Sequence, residues 1–265
     1  MALLVRQIEI LLGDVSRLRC LDLGGGGWAS VLLRERGGDW VSVERPGAAF
    51  EILHFLCEGR AIAEWPDGQP LPFEDQSFDV LVWVSGFEEL SDPSAAVREC
   101  HRVLKPAGRL VLNVPFAARI GPLRWLGTGA AARPAYTVAR LYEVLKDGFD
   151  LQECRRYGRL MIELADRWVR ANARRRASAD AAGQPDAITL CRAQAVAWQR
   201  WSWLTWAVLP LDALLFLSPG YRLIARARRR LWIPRRSPVL AGGRSVAEAA
   251  LGSRIGTAAA WETAP

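Results

Sequence analysis

Two kinds of apolar pattern alternate along the first 160 residues. Short, continuous apolar runs are typical of strands buried on both faces of a parallel sheet. The segment at 78–84 is such a run, and shorter segments at 18–23, 39–44, 60–64 and 109–114 also predict strands. Segments with helical spacing separate them, at 28–36, 47–59 and 93–104. The alternation predicts βαβ units and therefore a doubly wound, mostly parallel α/β sheet.

The ends of this pattern add three elements. The opening segment has helical spacing but carries Arg6, Glu9 and Asp14, so it predicts an amphipathic helix before the first strand and not a signal peptide. Residues 137–146 predict a further helix, and residues 149–157 predict an edge strand.

A glycine-rich loop follows the first strand and fits two cofactors. Gly24, Gly26 and Ala29, with Glu44 about twenty residues on, fit a dinucleotide fingerprint. The same loop, beginning at Asp22, also fits the binding loop for S-adenosylmethionine (SAM). In that interpretation the Asp22 carboxylate stays hydrated near the amino acid end of the cofactor. The Glu44 carboxylate, ending the second strand, accepts hydrogen bonds from both ribose hydroxyls.

Residues 67–116 decide between the two cofactors. They contain Asp67 shortly before Leu-Pro-Phe, the triplet Ser77-Phe78-Asp79, the pair Asp92-Pro93 and the run RVLKPAGRL. With these motifs the chain resembles the type 11 class I methyltransferase family over roughly residues 18–158. The resemblance implies SAM as the cofactor, with S-adenosylhomocysteine as its product. The implied cofactor-binding residues are Asp22, Gly24, Gly25, Gly26, Trp28, Glu44, Asp67 and Ser85.

The sequence departs from the family pattern at three positions. Trp28 replaces the third loop glycine, where an indole either crowds the methionine moiety or packs over it. Glu89 replaces the usual histidine after the fourth strand, and Ala107 replaces a glycine. The first two departures motivate a second hypothesis, in which the chain is a non-catalytic module with a SAM fold.

The reaction implied by the resemblance is methyl transfer, an in-line displacement that needs mainly alignment and a dry pocket. A general base is needed only if the acceptor must lose a proton. The candidate catalytic residues are Glu89 and Glu88, with Tyr136 as a wall. Residues 133–158 resemble methyltransferases of glycans and lipid-linked glycans, which implies O-methylation of a small-molecule, saccharide or lipid-linked acceptor.

The resemblance also divides the chain. It implies a SAM-binding core over 1–165 and a basic, Trp-rich helical insertion over 166–219. A closing strand follows over 220–230, and the tail over 231–265 is expected to be disordered. The insertion is expected to form a lid, a dimer contact or a membrane-surface element.

Charge and cysteine content set the expected surroundings. The formal net charge is +7, and nearly all of the positive charge comes from arginine. Tryptophans cluster beside arginines over 195–236. This favours a peripheral position on the inner face of a membrane, whereas no nucleic acid partner is expected. Pro210 and Asp212 interrupt the apolar run and argue against a full span. The five cysteines lack metal-ligand spacing, so we expect reduced thiols in the cytoplasm and no metal site.

Overall fold

A computed structural model of the chain describes residues 2–26, 28–116, 135–158 and 222–231, with the single residues 168, 189 and 196. The strands in these ranges are β1 (Arg19–Leu23), β2 (Asp39–Glu44), β3 (Ile62–Glu64), β4 (Phe78–Trp83), β5 (Leu104–Pro115), β6 (Phe149–Tyr157) and β7 (Arg222–Arg229). The helices are α1 (Ala2–Leu12), α2 (Trp28–Arg34), α3 (Ala48–Leu56), α4 (Pro93–Val103) and α5 (Val138–Leu145). A short 3-10 helix, Phe87–Glu89, follows β4.

The strands form one sheet in the order β3-β2-β1-β4-β5-β7-β6. The first five pair in parallel, whereas β7 lies antiparallel between β5 and β6. The mostly parallel α/β fold is therefore confirmed, and β6 is the predicted edge strand. Strand order reverses between β1 and β4, and ligands of doubly wound sheets bind in the crevice at such a reversal. The antiparallel β7 also distinguishes this sheet from the all-parallel order of dinucleotide-binding folds.

Strand β4 shows why a continuous apolar run was needed. Leu81 and Trp83 pack into the core on one face of the sheet, and Val80 and Val82 pack into the core on the other. Successive side chains of a strand point to opposite faces, so a strand covered on both faces must be apolar at every position. Each such side chain, fully buried, contributes about 1.5–3 kcal/mol of transfer free energy.

The helix predicted over 93–104 begins at the predicted residue, whereas strand β5 begins earlier than predicted. Asp92 caps α4 by accepting a hydrogen bond from the Ala95 N–H at 3.0 Å, and Pro93 occupies the first turn. Strand β5 begins at Leu104, five residues before the predicted run, because Leu104 pairs with Phe78 across an irregular register.

The predicted helix before the first strand is α1, and the predicted closing strand is β7. Most of the predicted insertion at 166–219 and nearly all of the tail lie outside the described residues, so those boundaries stay predictions. None of the helices that the structure describes combines the length and apolar character needed to cross a membrane.

Candidate active site

The glycine loop runs from the end of β1 against the end of β4. Gly24 has φ +64°, and a Cβ at this position would lie 2.0 Å from the Ser85 carbonyl oxygen, so glycine alone fits. The Ser85 hydroxyl donates a hydrogen bond to the Gly24 carbonyl at 2.6 Å, and the Gly24 N–H donates to the Val43 carbonyl at 3.1 Å. The loop is therefore fixed between the carboxyl ends of β2 and β4.

Asp22 lies beneath this loop and has no solvent exposure. Its two carboxylate oxygens accept hydrogen bonds from the Ser30 hydroxyl at 2.9 Å and the Ser42 hydroxyl at 2.5 Å. Burial raises its pKa to about 6, while the two serine hydroxyls oppose the rise. The prediction that the Asp22 carboxylate stays hydrated beside the cofactor is therefore wrong. The buried Asp22 carboxylate instead links β1 to α2 and β2 through the two serine hydroxyls, and so positions the loop.

Glu44 ends β2 and turns its carboxylate toward the loop. One oxygen accepts a hydrogen bond from the Gly26 N–H at 3.1 Å, and the other accepts one from the Arg45 N–H at 3.2 Å. The residue is 8% exposed, and burial raises the pKa of the carboxyl. Each oxygen keeps a further lone pair, so the carboxylate can accept two additional donors.

A narrow cleft lies at the reversal of strand order, with about 250 Å³ of empty space that includes open solvent. Its lining combines apolar walls with the Glu44 carboxylate and the Arg45 side chain: Leu23, Gly24, Val43, Glu44, Arg45, Trp65, Trp83, Ser85, Gly86 and Leu90. The Trp65 and Trp83 rings meet edge to face, with centroids 5.7 Å apart.

The structure brings most predicted cofactor residues to this edge, with two qualifications. Gly24, Glu44 and Ser85 line the cleft. Asp67 is exposed at the rim, where its carboxylate accepts a hydrogen bond from the Ser91 N–H at 3.2 Å. The backbone of Trp28 begins α2, and the prediction about its indole lies outside the described residues.

Gly25 and Gly26 differ in what surrounds them. A Cβ on Gly25 would lie 2.1 Å from the Ser30 hydroxyl oxygen, whereas one on Gly26 would meet no atom of the described residues within 4 Å. Gly25 therefore protects the buried carboxylate network. The Gly26 backbone, with its N–H on Glu44, is open for a ligand to approach.

The two candidate catalytic carboxylates have different environments. Glu88 is 6% exposed, and its Oε2 has no hydrogen-bond partner among the described residues. Glu89 is exposed and forms an ion pair with the Arg45 guanidinium across the cleft mouth. Tyr136 is buried, and its ring lies 5.5 Å from that of Phe87.

Sequence reasoning missed several residues of the cleft wall. Arg45, Trp65 and Trp83 were not predicted as site residues, although each lies at or beside the carboxyl end of a strand. Position relative to the strand ends was the signal that could have identified them, because those ends converge on one edge of the sheet.

The lining fits the nucleoside portion of SAM. Glu44 offers paired acceptors for two adjacent hydroxyls, the exposed Gly26 backbone allows close approach, and the indoles of Trp65 and Trp83 provide apolar walls for a purine.

Comparisons with known proteins point to a methyltransferase domain. A family profile described as a methyltransferase domain, of type 11, matches residues 21–112. Over 111 residues the chain is 33% identical to the demethylmenaquinone methyltransferase of Thermotoga maritima, covering 40% of this chain and 47% of that protein. Over 105 residues it is 34% identical to the ubiquinone biosynthesis O-methyltransferase of Idiomarina loihiensis, covering 36% and 41%. The matches thus span less than half of these relatives.

The fold extends the likeness beyond the matched segment. A solved SAM-dependent methyltransferase from Mesorhizobium loti superposes with a TM-score of 0.53 at 17% identity, over 85% of this chain and 95% of that one. SAM is the methyl donor that the site and these comparisons imply. Residues 21–112 are accordingly similar to methyltransferase domains of type 11, and the fold of the chain is that of SAM-dependent methyltransferases.

Proposed function

We propose that this chain transfers a methyl group from SAM to an oxygen of a small, amphipathic acceptor, such as a saccharide or a lipid-linked saccharide. The observation that supports a SAM-dependent reaction most directly is the Glu44 carboxylate, held by the Gly26 N–H at the reversal of strand order. The relatives named above act in quinone biosynthesis, so an intermediate of that chemistry is a second acceptor class to test.

Bound SAM supplies a methyl group already activated on a sulfonium. The described residues then have to bind, orient and exclude water. A hydroxyl acceptor must also lose its proton, and Glu88 is our candidate to receive it. Its Oε2 is buried without a hydrogen-bond partner among the described residues. It also lies close enough to Tyr136 to raise the pKa of that phenol, after the larger effect of burial.

The cofactor role is tested by isothermal titration with S-adenosylhomocysteine. We expect binding by the wild type and loss of binding by Glu44→Ala with an unchanged circular dichroism spectrum. Failure of a folded wild type to bind would contradict the proposal.

The catalytic role is tested with Glu88→Gln and isotopically labelled SAM. We expect retained cofactor binding and transfer slowed by about 10²–10⁴-fold, the range typical of general base catalysis. Mass spectrometry of the product then identifies the acceptor atom. Unchanged transfer by Glu88→Gln would exclude Glu88 as the base.

A non-catalytic module is the second candidate function. The ion pair between Glu89 and Arg45 favours a non-catalytic module, because the carboxylate at the position of the family histidine is engaged by a guanidinium. Cofactor binding without transfer to saccharide, lipid-linked or quinone-type acceptors would support the module over the enzyme.

We also propose that the acceptor is met at an anionic membrane surface, through the Trp-rich segment that lies mostly outside the described residues. Three arginines that follow this segment are engaged within the fold and do not support the proposal. Arg226 pairs with Glu153, Arg230 pairs with Asp150, and Arg229 donates to a backbone carbonyl. Co-sedimentation with phosphatidylglycerol vesicles, but not with phosphatidylcholine vesicles, is the expected result.

A further inference from the structure

An ion pair lies across the mouth of the cofactor cleft. The Arg45 guanidinium contacts the Glu89 carboxylate, and both side chains are about one-third exposed, at 34% and 31%. Arg45 directly follows Glu44, and Glu89 closes the 3-10 helix after β4. The pair therefore connects the carboxyl ends of two strands that are not neighbours in the sheet.

The local backbone is arranged to accommodate this pair. Gly86 has φ +84°, and a Cβ there would lie 3.3 Å from the Arg45 guanidinium. The Glu89 N–H donates to the Gly86 carbonyl at 3.1 Å, which fixes the turn that carries the carboxylate. Arg45 and Gly86 both line the cleft, so the pair is part of its wall.

Among the described residues, three charged groups act on one another at this wall: the carboxylates of Glu44 and Glu89 and the guanidinium of Arg45. They act on one another, since Arg45 lowers the pKa of Glu44 and Glu89 raises it, beside the larger effect of burial. With all three ionised their sum is −1. The donor SAM carries a sulfonium, whereas the product S-adenosylhomocysteine does not, so only the donor gains from a negative wall.

We propose that Glu89, by neutralising Arg45, leaves the cofactor cleft with a net charge of −1 and so favours the charged donor over its neutral product. This inference rests on the proposed use of SAM. It assigns Glu89 a positioning and electrostatic role in place of a proton-accepting one. It also accounts for a carboxylate at the position where the family pattern has a histidine.

The two halves of the pair make opposite predictions. Glu89→Gln brings the wall to zero charge, and Arg45→Gln brings it to −2. One unit charge at roughly 10 Å, with an effective dielectric of about 40–80, changes an affinity by about two- to four-fold. The ratio of the S-adenosylhomocysteine Kd to the SAM Kd should fall by that factor in Glu89→Gln and rise by it in Arg45→Gln.

The experiment is isothermal titration of each variant with both ligands at low ionic strength. Glu143→Gln and Lys146→Gln are matched controls, because they neutralise an exposed ion pair on α5. If both cleft variants bound SAM and S-adenosylhomocysteine more weakly by the same factor, the pair would have only a structural role and the proposal would be overturned.

A measurement on the wild type does not depend on whether the variants fold. Salt screens exposed charges, so raising NaCl from about 0.02 M to about 0.5 M should weaken the binding of SAM more than the binding of S-adenosylhomocysteine. Parallel weakening of the two ligands would contradict the inference while leaving the proposed cofactor intact. Binding of neither ligand would overturn both.

Discussion

The buried carboxylate of Asp22 predicts an unusual dependence of stability on pH. Burial raises its pKa from the ordinary 3.8 to about 6 in the folded protein. The folded state therefore holds a proton between these values that the unfolded state has released. The resulting stabilisation is complete below about pH 3.8 and is lost as the pH rises through about 6.

The magnitude follows from the two pKa values. Over the whole range the contribution is about 3 kcal/mol, since one pKa unit corresponds to about 1.4 kcal/mol. Between pH 7 and pH 5 the share of Asp22 is about 1.3 kcal/mol. Asp22→Asn removes the titration and leaves a side chain of the same shape between Ser30 and Ser42.

Urea denaturation of the wild type and Asp22→Asn, followed by circular dichroism from pH 7.5 to pH 4.5, measures this contribution. The free energy of unfolding of the wild type minus that of the variant should grow as the pH falls. Exposed Asp14 is the control, because the Ser16 N–H lowers its pKa below 3.8, so the difference curve of Asp14→Asn should stay nearly flat over this pH range. A flat difference curve for Asp22→Asn would show that the carboxylate is solvated and that the network described above is not formed.

Four further substitutions test the loop and the sheet. Ala107 has φ +61°, a left-handed backbone conformation that glycine adopts more easily than alanine. Ala107→Gly should therefore raise the free energy of unfolding by about 0.5–1 kcal/mol in urea denaturation. A decrease would show that the backbone at this residue is not left-handed. Gly24→Ala should abolish S-adenosylhomocysteine binding in titration calorimetry. Gly26 has φ +59° and open space around it, so Gly26→Ala should lower the unfolding free energy by only about 1–2 kcal/mol. An equal loss of unfolding free energy in Gly24→Ala and Gly26→Ala would contradict the close approach at Gly24. Lys105 forms a partly exposed ion pair with Asp79, in which the Nζ–O distances are 2.8 and 2.9 Å. Lys105→Met should therefore lower the unfolding free energy by no more than about 1 kcal/mol in thermal denaturation. A larger loss would mean that the pair is shielded from solvent.

The apolar pattern was enough to predict the sheet because each strand signal is local. Strand β4 reads as an uninterrupted apolar run, and such a run has no stable place except between two covered faces. The helix α4 carries its own start signal in Asp92 and Pro93. The crevice followed from the alternation itself, since parallel strands joined by helices end at one edge.

The side-chain partners across that edge were not predictable in the same way. Arg45 and Glu89 are 44 residues apart, and their ion pair depends on the turn at Gly86. No periodicity connects them. The same holds for Asp22, where the pattern placed the residue at the end of β1 but could not show that Ser30 and Ser42 would enclose it.

Gly25 illustrates how one residue can serve two requirements that a sequence pattern does not separate. A glycine in this loop is usually explained by backbone freedom or by approach to a ligand. Here a methyl group at Gly25 would lie 2.1 Å from the Ser30 hydroxyl oxygen and 2.8 Å from an Asp22 carboxylate oxygen. Since Ser30 is a donor to Asp22, that methyl group would displace one of the two hydroxyls that compensate a fully buried carboxylate. The loop glycine therefore preserves the buried network on one side, while its neighbour Gly26 presents its backbone to Glu44 and the cofactor on the other.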